Sequence, residues 1–151
     1  MRKIVVGGLG LAAGASVVLA GGAFAGGNGA QLSGLSPQSG SNNDQCVEGS
    51  GAGTNGFVML NAPGKPGDAS KLLGEVSLKR GTANADYIVN VAQVGSNDTC
   101  MPEGMLHTNG VGNGNAHIAD TSGLKNGSYY VVLQNASDMS EAYASGTLNV
   151  N

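Results

Sequence analysis

The side chains that could do chemistry fall in two places along this chain. Both histidines, His107 and His117, lie in the stretch GMLHTNGVGNGNAHIAD from Gly104 to Asp120. Both cysteines are flanked by acids: Asp44 and Glu48 around Cys46, Asp98 and Glu103 around Cys100. Two imidazoles on one strand face could hold Zn²⁺ or Cu²⁺, but such a site needs three or four ligands, and the sequence has no third histidine. Carboxylates on loops are the hard oxygen donors that Ca²⁺ takes, although the spacing of these four matches no calcium loop. The cation candidates are therefore the acids Asp44, Glu48, Asp98 and Glu103, and, with fewer donors, His107 and His117.

The cysteines decide whether those acids meet. An even pair in an exported protein most simply forms one disulfide, Cys46–Cys100, which would gather the four carboxylates within a few residues of one another. There is no C-x-x-C, so a redox role has no support. Enzyme signatures are missing as well: no G-x-S-x-G, no H-E-x-x-H and no G-x-x-x-x-G-K-[ST]. Gly110, Gly112 and Gly114 sit between two strand-like runs rather than before a helix, so they read as turn residues and not as a phosphate loop. Spacing lends no weight to a His/Asp/Ser triad. The reading is non-enzymatic, with no cofactor.

The elements that must position these residues begin after an export signal. Arg2 and Lys3, the apolar run Ile4 to Ala20, and Ala23-Phe24-Ala25 make the charged, apolar and small-x-small parts of a secretory signal over residues 1–25. No cysteine stands directly after that site, where Gly26 follows, and no Arg-Arg pair precedes it, which speaks against a lipid anchor and the twin-arginine route. Loss of Arg2 and Lys3 takes the formal charge from −3 to −5. A mildly acidic surface argues against nucleic acid and anionic membrane as partners, since both are bound through clustered Lys and Arg. With only 11% charged residues and 27 Gly, solubility must come from Asn, Ser, Thr and Gly, a composition that suits a turn-rich extracellular β protein.

Residues 26–55 are rich in Gly, Ser and Asn with no helical or strand period, and read as a flexible leader; residues 56–151 read as the domain. Strand signals follow at Phe57 to Leu60, at Gly74 to Lys79 with Val76 and Leu78 on one face, and at Tyr87 to Ala92 with Tyr87, Val89 and Val91 on one face. The apolar run Tyr129 to Gln134 should lie mid-sheet, and Glu141 to Asn151 should supply a last strand. Between them, Met105 to Thr108 and Asn115 to Asp120 read as a hairpin closed by Asn109 to Asn113. In that register Leu106 faces Ala116, His107 faces Asn115, both histidines share the wet face, and Leu106, Ala116 and Ile118 turn to the core. The short run Asp68 to Leu73, bracketed by Gly67 and Gly74, could make at most one helical turn.

The expected fold is thus an all-β, antiparallel, Greek-key-type sandwich of about seven short strands. The block EVSLKRGTANADYIVNVAQ resembles the strand, turn and Tyr-x-Val strand of immunoglobulin-like and fibronectin-III-like modules. It departs from the fibronectin pattern at Gly81, where leucine is usual, and the chain has no Trp for an immunoglobulin core. The resemblance implies an immunoglobulin-like architecture and carries no functional residue across. Three N-x-[ST] triplets, at Asn97, Asn126 and Asn135, are read as chance beside a bacterial-looking signal.

Three functions are compatible with this pattern. The first is an exported, non-enzymatic binding or structural module at the bacterial cell surface or in the medium, acting on an unknown protein or cell-envelope ligand. The second is a secreted inhibitor or effector that acts on a foreign enzyme through an exposed loop, with the Pro-Gly-rich Asn61 to Ala69 as that loop. The third is a metal protein or enzyme built on His107 and His117.

Overall fold

The computed structural model describes residues 30–41, 45–61, 72–119 and 127–150. Its strands are β1 (Gln31–Gly34), β2 (Ser36–Gln38), β3 (Gly56–Asn61), β4 (Leu73–Leu78), β5 (Asp86–Gln93), β6 (Met101–His107), β7 (Gly114–Ala119), β8 (Gly127–Asn135), β9 (Ala142–Ala144) and β10 (Leu148–Val150). They form two antiparallel sheets packed together as a β-sandwich, and the described residues contain no helix. One sheet has the order β1-β3-β4-β7; the other runs β2-β9-β8-β5-β6, with β10 also paired to β8.

The period-two pattern builds the core. Val58 and Leu60 of β3 and Val76 and Leu78 of β4 point inward from the smaller sheet; Tyr87, Val89 and Val91 of β5 and Tyr129, Val131 and Leu133 of β8 meet them from the larger. β8 is an interior strand, as the sequence predicts, and so is β5, the two paired in register from Tyr87↔Asn135 to Gln93↔Tyr129.

Three expectations are corrected. First, β6 and β7 are not a hairpin: β6 pairs with β5 in one sheet, and β7 pairs with β4 in the other. Leu106 stands opposite Tyr87, and Ala116 opposite Val76. The cause lies at Thr108, which the hairpin register would set opposite Gly114. Its amide instead donates to Ala85 O at 2.9 Å, and its buried hydroxyl donates to Thr82 O at 2.6 Å and accepts from Ala85 N at 2.9 Å. This pulls the chain off β5 and across the sandwich. Asn109 then shapes the crossing, its side-chain oxygen accepting from Val111 N at 3.0 Å and Asn113 N at 3.1 Å. Leu106 and Ile118 are buried as expected, but from opposite walls of the core.

Second, residues 31–38 of the expected leader form β1 and β2, which pair with β3 and β9, and Leu35 between them is buried in the main core. The glycines that follow are there for close approach. A Cβ at Gly53 would fall 1.8 Å from Leu35 O, so the backbones touch where any side chain would separate them. Third, the last strand is two. β9 and β10 lie along the same edge of β8, and Ser145 bridges the break: its amide donates to Val131 O and its hydroxyl accepts from Val131 N, both at 2.9 Å. These changes raise about seven strands to the ten of the described residues.

Candidate functional site

The cysteines form the expected disulfide, with Cα atoms 5.2 Å apart and a sequence separation of 54. It lies outside the main core, on the outer face of the larger sheet. Cys46 and Cys100 pack with Ala92, Tyr130, Val132, Ala142 and Ala144, the residues that alternate with the inward-facing ones on β5, β8 and β9. Cys46 N donates to Asp98 O at 2.8 Å, Tyr130 OH donates to Cys46 O at 3.0 Å, and Gln45 bridges Thr99. Burial, and then the Asp98 carboxylate, push the Tyr130 hydroxyl pKa up. Over β8, β9 and the end of β5 this face is closed, while Met105 on β6 stays exposed.

Three of the four acids lie within the described residues. Asp44 lies outside the described residues. Asp98 occupies a left-handed turn, with φ 50°. Glu48 accepts from Thr147 Oγ1. Glu103 is the extra residue of a bulge, where the β5–β6 register passes from Val89↔Gly104 to Asn90↔Pro102. Among the described residues, no group of three or more His, Cys, Asp and Glu is arranged to hold a metal.

The histidines are exposed, as expected, but no longer share a face, because their strands belong to different sheets. Each has instead a carboxylate directly across the ladder. His107 Nδ1 lies 2.8 Å from Asp86 Oδ1 on β5, and His117 Nδ1 lies 3.4 Å from Glu75 Oε1 on β4.

Sequence reading missed Glu141. Its Oε1 accepts from Tyr87 OH at 2.6 Å, Tyr143 OH at 3.1 Å and Thr82 N at 3.2 Å; its Oε2 accepts from Asn135 Nδ2 at 2.6 Å and Thr82 Oγ1 at 2.8 Å. Burial pushes this carboxyl up, but the donors of Tyr87, Asn135, Thr82 and Tyr143 outweigh it and hold the pKa below its ordinary 4.5. Burial and the facing carboxylate raise Tyr87 as well, and push Tyr143 up to about 12. A carboxylate so saturated with donors is a poor base. It is a tie between the β4–β5 turn, the end of β8 and the start of β9. Tyr87 OH also accepts from Thr82 N at 2.8 Å, and the ring explains Gly81: a Cβ there would lie 2.8 Å from both Tyr87 OH and Leu78 Cδ2. Asn135 is buried in the same network, so this triplet offers no free amide.

The other face that sequence reading missed is the outer side of the smaller sheet. Its residues form three cross-strand rows: Phe57, Ser77, Asn115; then Leu32, Met59, Glu75, His117; then Asn61, Leu73, Ala119. Leu32, Phe57 and Leu73 are 44%, 38% and 39% exposed, large apolar side chains on a wet face. Three shallow concavities adjoin across it. One of about 340 Å³ lies between Leu32, Phe57 and the Gly51–Thr54 segment; one of about 300 Å³ is floored by Phe57, Glu75, Asn115 and His117; one of about 370 Å³ lies over Leu73, His117 and Ala119. Phe57 joins the first two, and the Glu75–His117 pair joins the last two. The arrangement presents apolar patches around the central Glu75–His117 contact, with hydroxyl and amide groups between. Such a surface offers apolar contact area with polar groups placed to orient what touches it.

Comparison with protein-family models, with curated proteins and with solved structures finds no match.

Proposed function

We propose that this chain is an exported, non-enzymatic β-sandwich that binds a cell-envelope or extracellular ligand with the outer face of its four-stranded sheet. One observation carries this reading: the two outer faces of the sandwich are built alike in pattern but treated oppositely. The larger sheet is covered over β8, β9 and the end of β5 by a segment held with a buried disulfide, while the smaller one leaves Leu32, Phe57 and Leu73 exposed around the Glu75–His117 pair. Exposed apolar groups clustered and rimmed by polar ones mark interaction surfaces. Export is supported by the N-terminal charged, apolar and small-x-small pattern and by a disulfide, which persists in oxidising compartments. The immunoglobulin-like reading draws support from Tyr87, whose hydroxyl reaches back to the backbone five residues upstream, as in a tyrosine corner.

The test is retention of the purified protein on isolated cell-envelope material, compared with Phe57→Ala and with His117→Ala. Each variant should lose about tenfold or more in affinity, the size of a central contact, at unchanged melting temperature. Undiminished retention of both variants would remove this face from consideration.

A further inference from the structure

The three concavities on the outer face of the four-stranded sheet run on from one another. Phe57 lines both the first and the second, and Glu75 and His117 line both the second and the third. With strands about 4.8 Å apart and same-face rows about 7 Å apart along them, the track crosses the sheet over roughly 20 Å. Each concavity is shallow, so none encloses a compact molecule as a small-ligand pocket does. The backbone has little to offer a ligand on this face. β3 pairs with β1 and β4, and β4 pairs with β3 and β7, so the peptide groups of the two central strands are engaged on both sides. An extended peptide laid across them finds no ladder to join, and recognition falls to the side chains.

We infer that the occupant of this track is an uncharged polysaccharide chain, lying from the Leu32–Phe57 concavity to the Leu73–Ala119 concavity; this rests on the reading of the face as the binding surface. Charge separates it from the polyanions. Along the track Lys79 stands at one end and Glu75 in the middle, set against His117, so the lining has no cluster of positive charge for a nucleic acid or an anionic membrane. The formal net charge of −3 repels both. Composition separates it from a folded protein. The centre of a protein interface is depleted of Glu, Lys, Ser and Ala, whereas here Glu75 and Ser77 occupy a central strand and Lys79 and Ala119 line the two ends. A sugar ring carries hydroxyls around its edge and C–H groups on its faces, and the second concavity answers both. The part-exposed ring of Phe57 presents a negative π-face that attracts C–H groups stacked on it. Beside it stand Ser77, Asn115, Glu75 and His117, which between them donate and accept hydrogen bonds, as neighbouring sugar hydroxyls require. Leu32 and Leu73 supply apolar contact to rings further along the chain in either direction. A repeating chain engages all three concavities in one molecule, so shallow contacts reinforce one another.

The experiment measures retention of the protein on two fractions of cell-envelope material: polysaccharide freed of protein by exhaustive protease digestion, and protein freed of sugar by chemical deglycosylation. The polysaccharide should retain it and the deglycosylated protein should not. Retention should be the same at low and high salt, as an uncharged ligand requires. Oligosaccharides cut from the polysaccharide by partial acid hydrolysis should compete more strongly as they lengthen. Phe57→Tyr keeps the ring and should bind like the wild type; Phe57→Leu keeps apolar bulk without a π-face and should lose about tenfold in affinity, at an unchanged melting temperature because the side chain is part-exposed. Retention on the deglycosylated protein alone assigns the face to a protein: it overturns the inference and leaves the binding surface standing. A steep fall with salt, competition by single sugars as strong as by long chains, or undiminished binding by Phe57→Leu overturns it as well. No retention on either fraction removes the inference, and no retention on the untreated material removes the binding surface with it.

Discussion

The outer face of the six-stranded sheet and that of the four-stranded sheet begin from the same alternation and end differently. On the first, the outward positions include Ala92, Ala142 and Ala144, small enough for the Cys46 segment to lie directly on the sheet. On the second they include Leu32, Phe57, Met59 and Leu73, side chains too large to admit a close-packed strap and left partly in water. Three small outward residues let the strap lie close to the sheet, and Tyr130 and Val132 pack against the disulfide it carries. A covered face adds to stability, whereas an exposed apolar one is retained for contact with something else. Substitutions can break this contrast at either end.

The largest effect is expected where the cover is fastened. Replacing both Cys46 and Cys100 by Ser releases a crosslink over 54 residues, which the chain-entropy account values at about 4 kcal/mol. Denaturant unfolding should show that loss, and hydrogen exchange should show residues 45–49 opening ahead of the core. If the loss appears without local opening of that segment, the crosslink acts on the unfolded chain alone and the face is closed by its own packing. If neither appears, the contrast between the faces fails.

A smaller effect is expected at Glu141, which ties the turn after β4 to β9. Glu141→Ala leaves the hydroxyls of Tyr87 and Tyr143 and the amide of Asn135 without their shared acceptor, a loss of about 2 kcal/mol for hydrogen bonds to a charged group. The wild type should also carry a pH signature. The folded state holds this carboxyl below its ordinary value of 4.5, so the unfolded chain binds the proton first. The stabilisation is complete above that value and is lost as pH falls through the lower folded pKa. Acid titration of the unfolding midpoint should show a drop in this window that flattens in Glu141→Ala. Equal drops in both proteins would place the acid sensitivity in other carboxylates.

How much of this was legible depended on whether a residue's partner was near in sequence or far. Val76, Leu78, Tyr87, Val89 and Val91 announce their inward face through local alternation, and the disulfide follows from there being only two cysteines. The arch between β6 and β7 was not legible. Asn and Gly describe a reversal equally well whether its arms pair with each other or with β5 and β4, and the deciding contact is Thr108 with a turn more than 20 residues earlier. β1 and β2 were hidden because a glycine that serves close packing, such as Gly53, has the same composition signature as one in a free leader. Glu141 was hidden because its partners come from β5, β8 and β9 and from the β4–β5 turn. The open face could have been suspected from Phe57 and Leu73, which fall on the same side as Glu75 once β3 and β4 are placed in register.

The smallest effect sharpens the comparison most, because it uses one substitution twice in one short segment. Leu32 on β1 points to the open face and is 44% exposed, while Leu35, three residues on, is fully buried between the sheets. Leu32→Ala should cost less than about 1 kcal/mol, since a partly exposed side chain leaves no cavity. Leu35→Ala should cost about 2–5 kcal/mol, the usual range for a core leucine. Both sit in a segment that composition alone assigns to a leader, so the pair separates two questions. Equal and negligible costs would detach residues 31–38 from the folded unit. A large cost at Leu35 with an equally large one at Leu32 would mean that the outer face of the small sheet is packed in solution, and that its apolar groups serve stability rather than contact. Only the unequal result, with cell-envelope retention impaired in Leu32→Ala and its unfolding midpoint nearly unchanged, fits a sandwich that closes one face and uses the other.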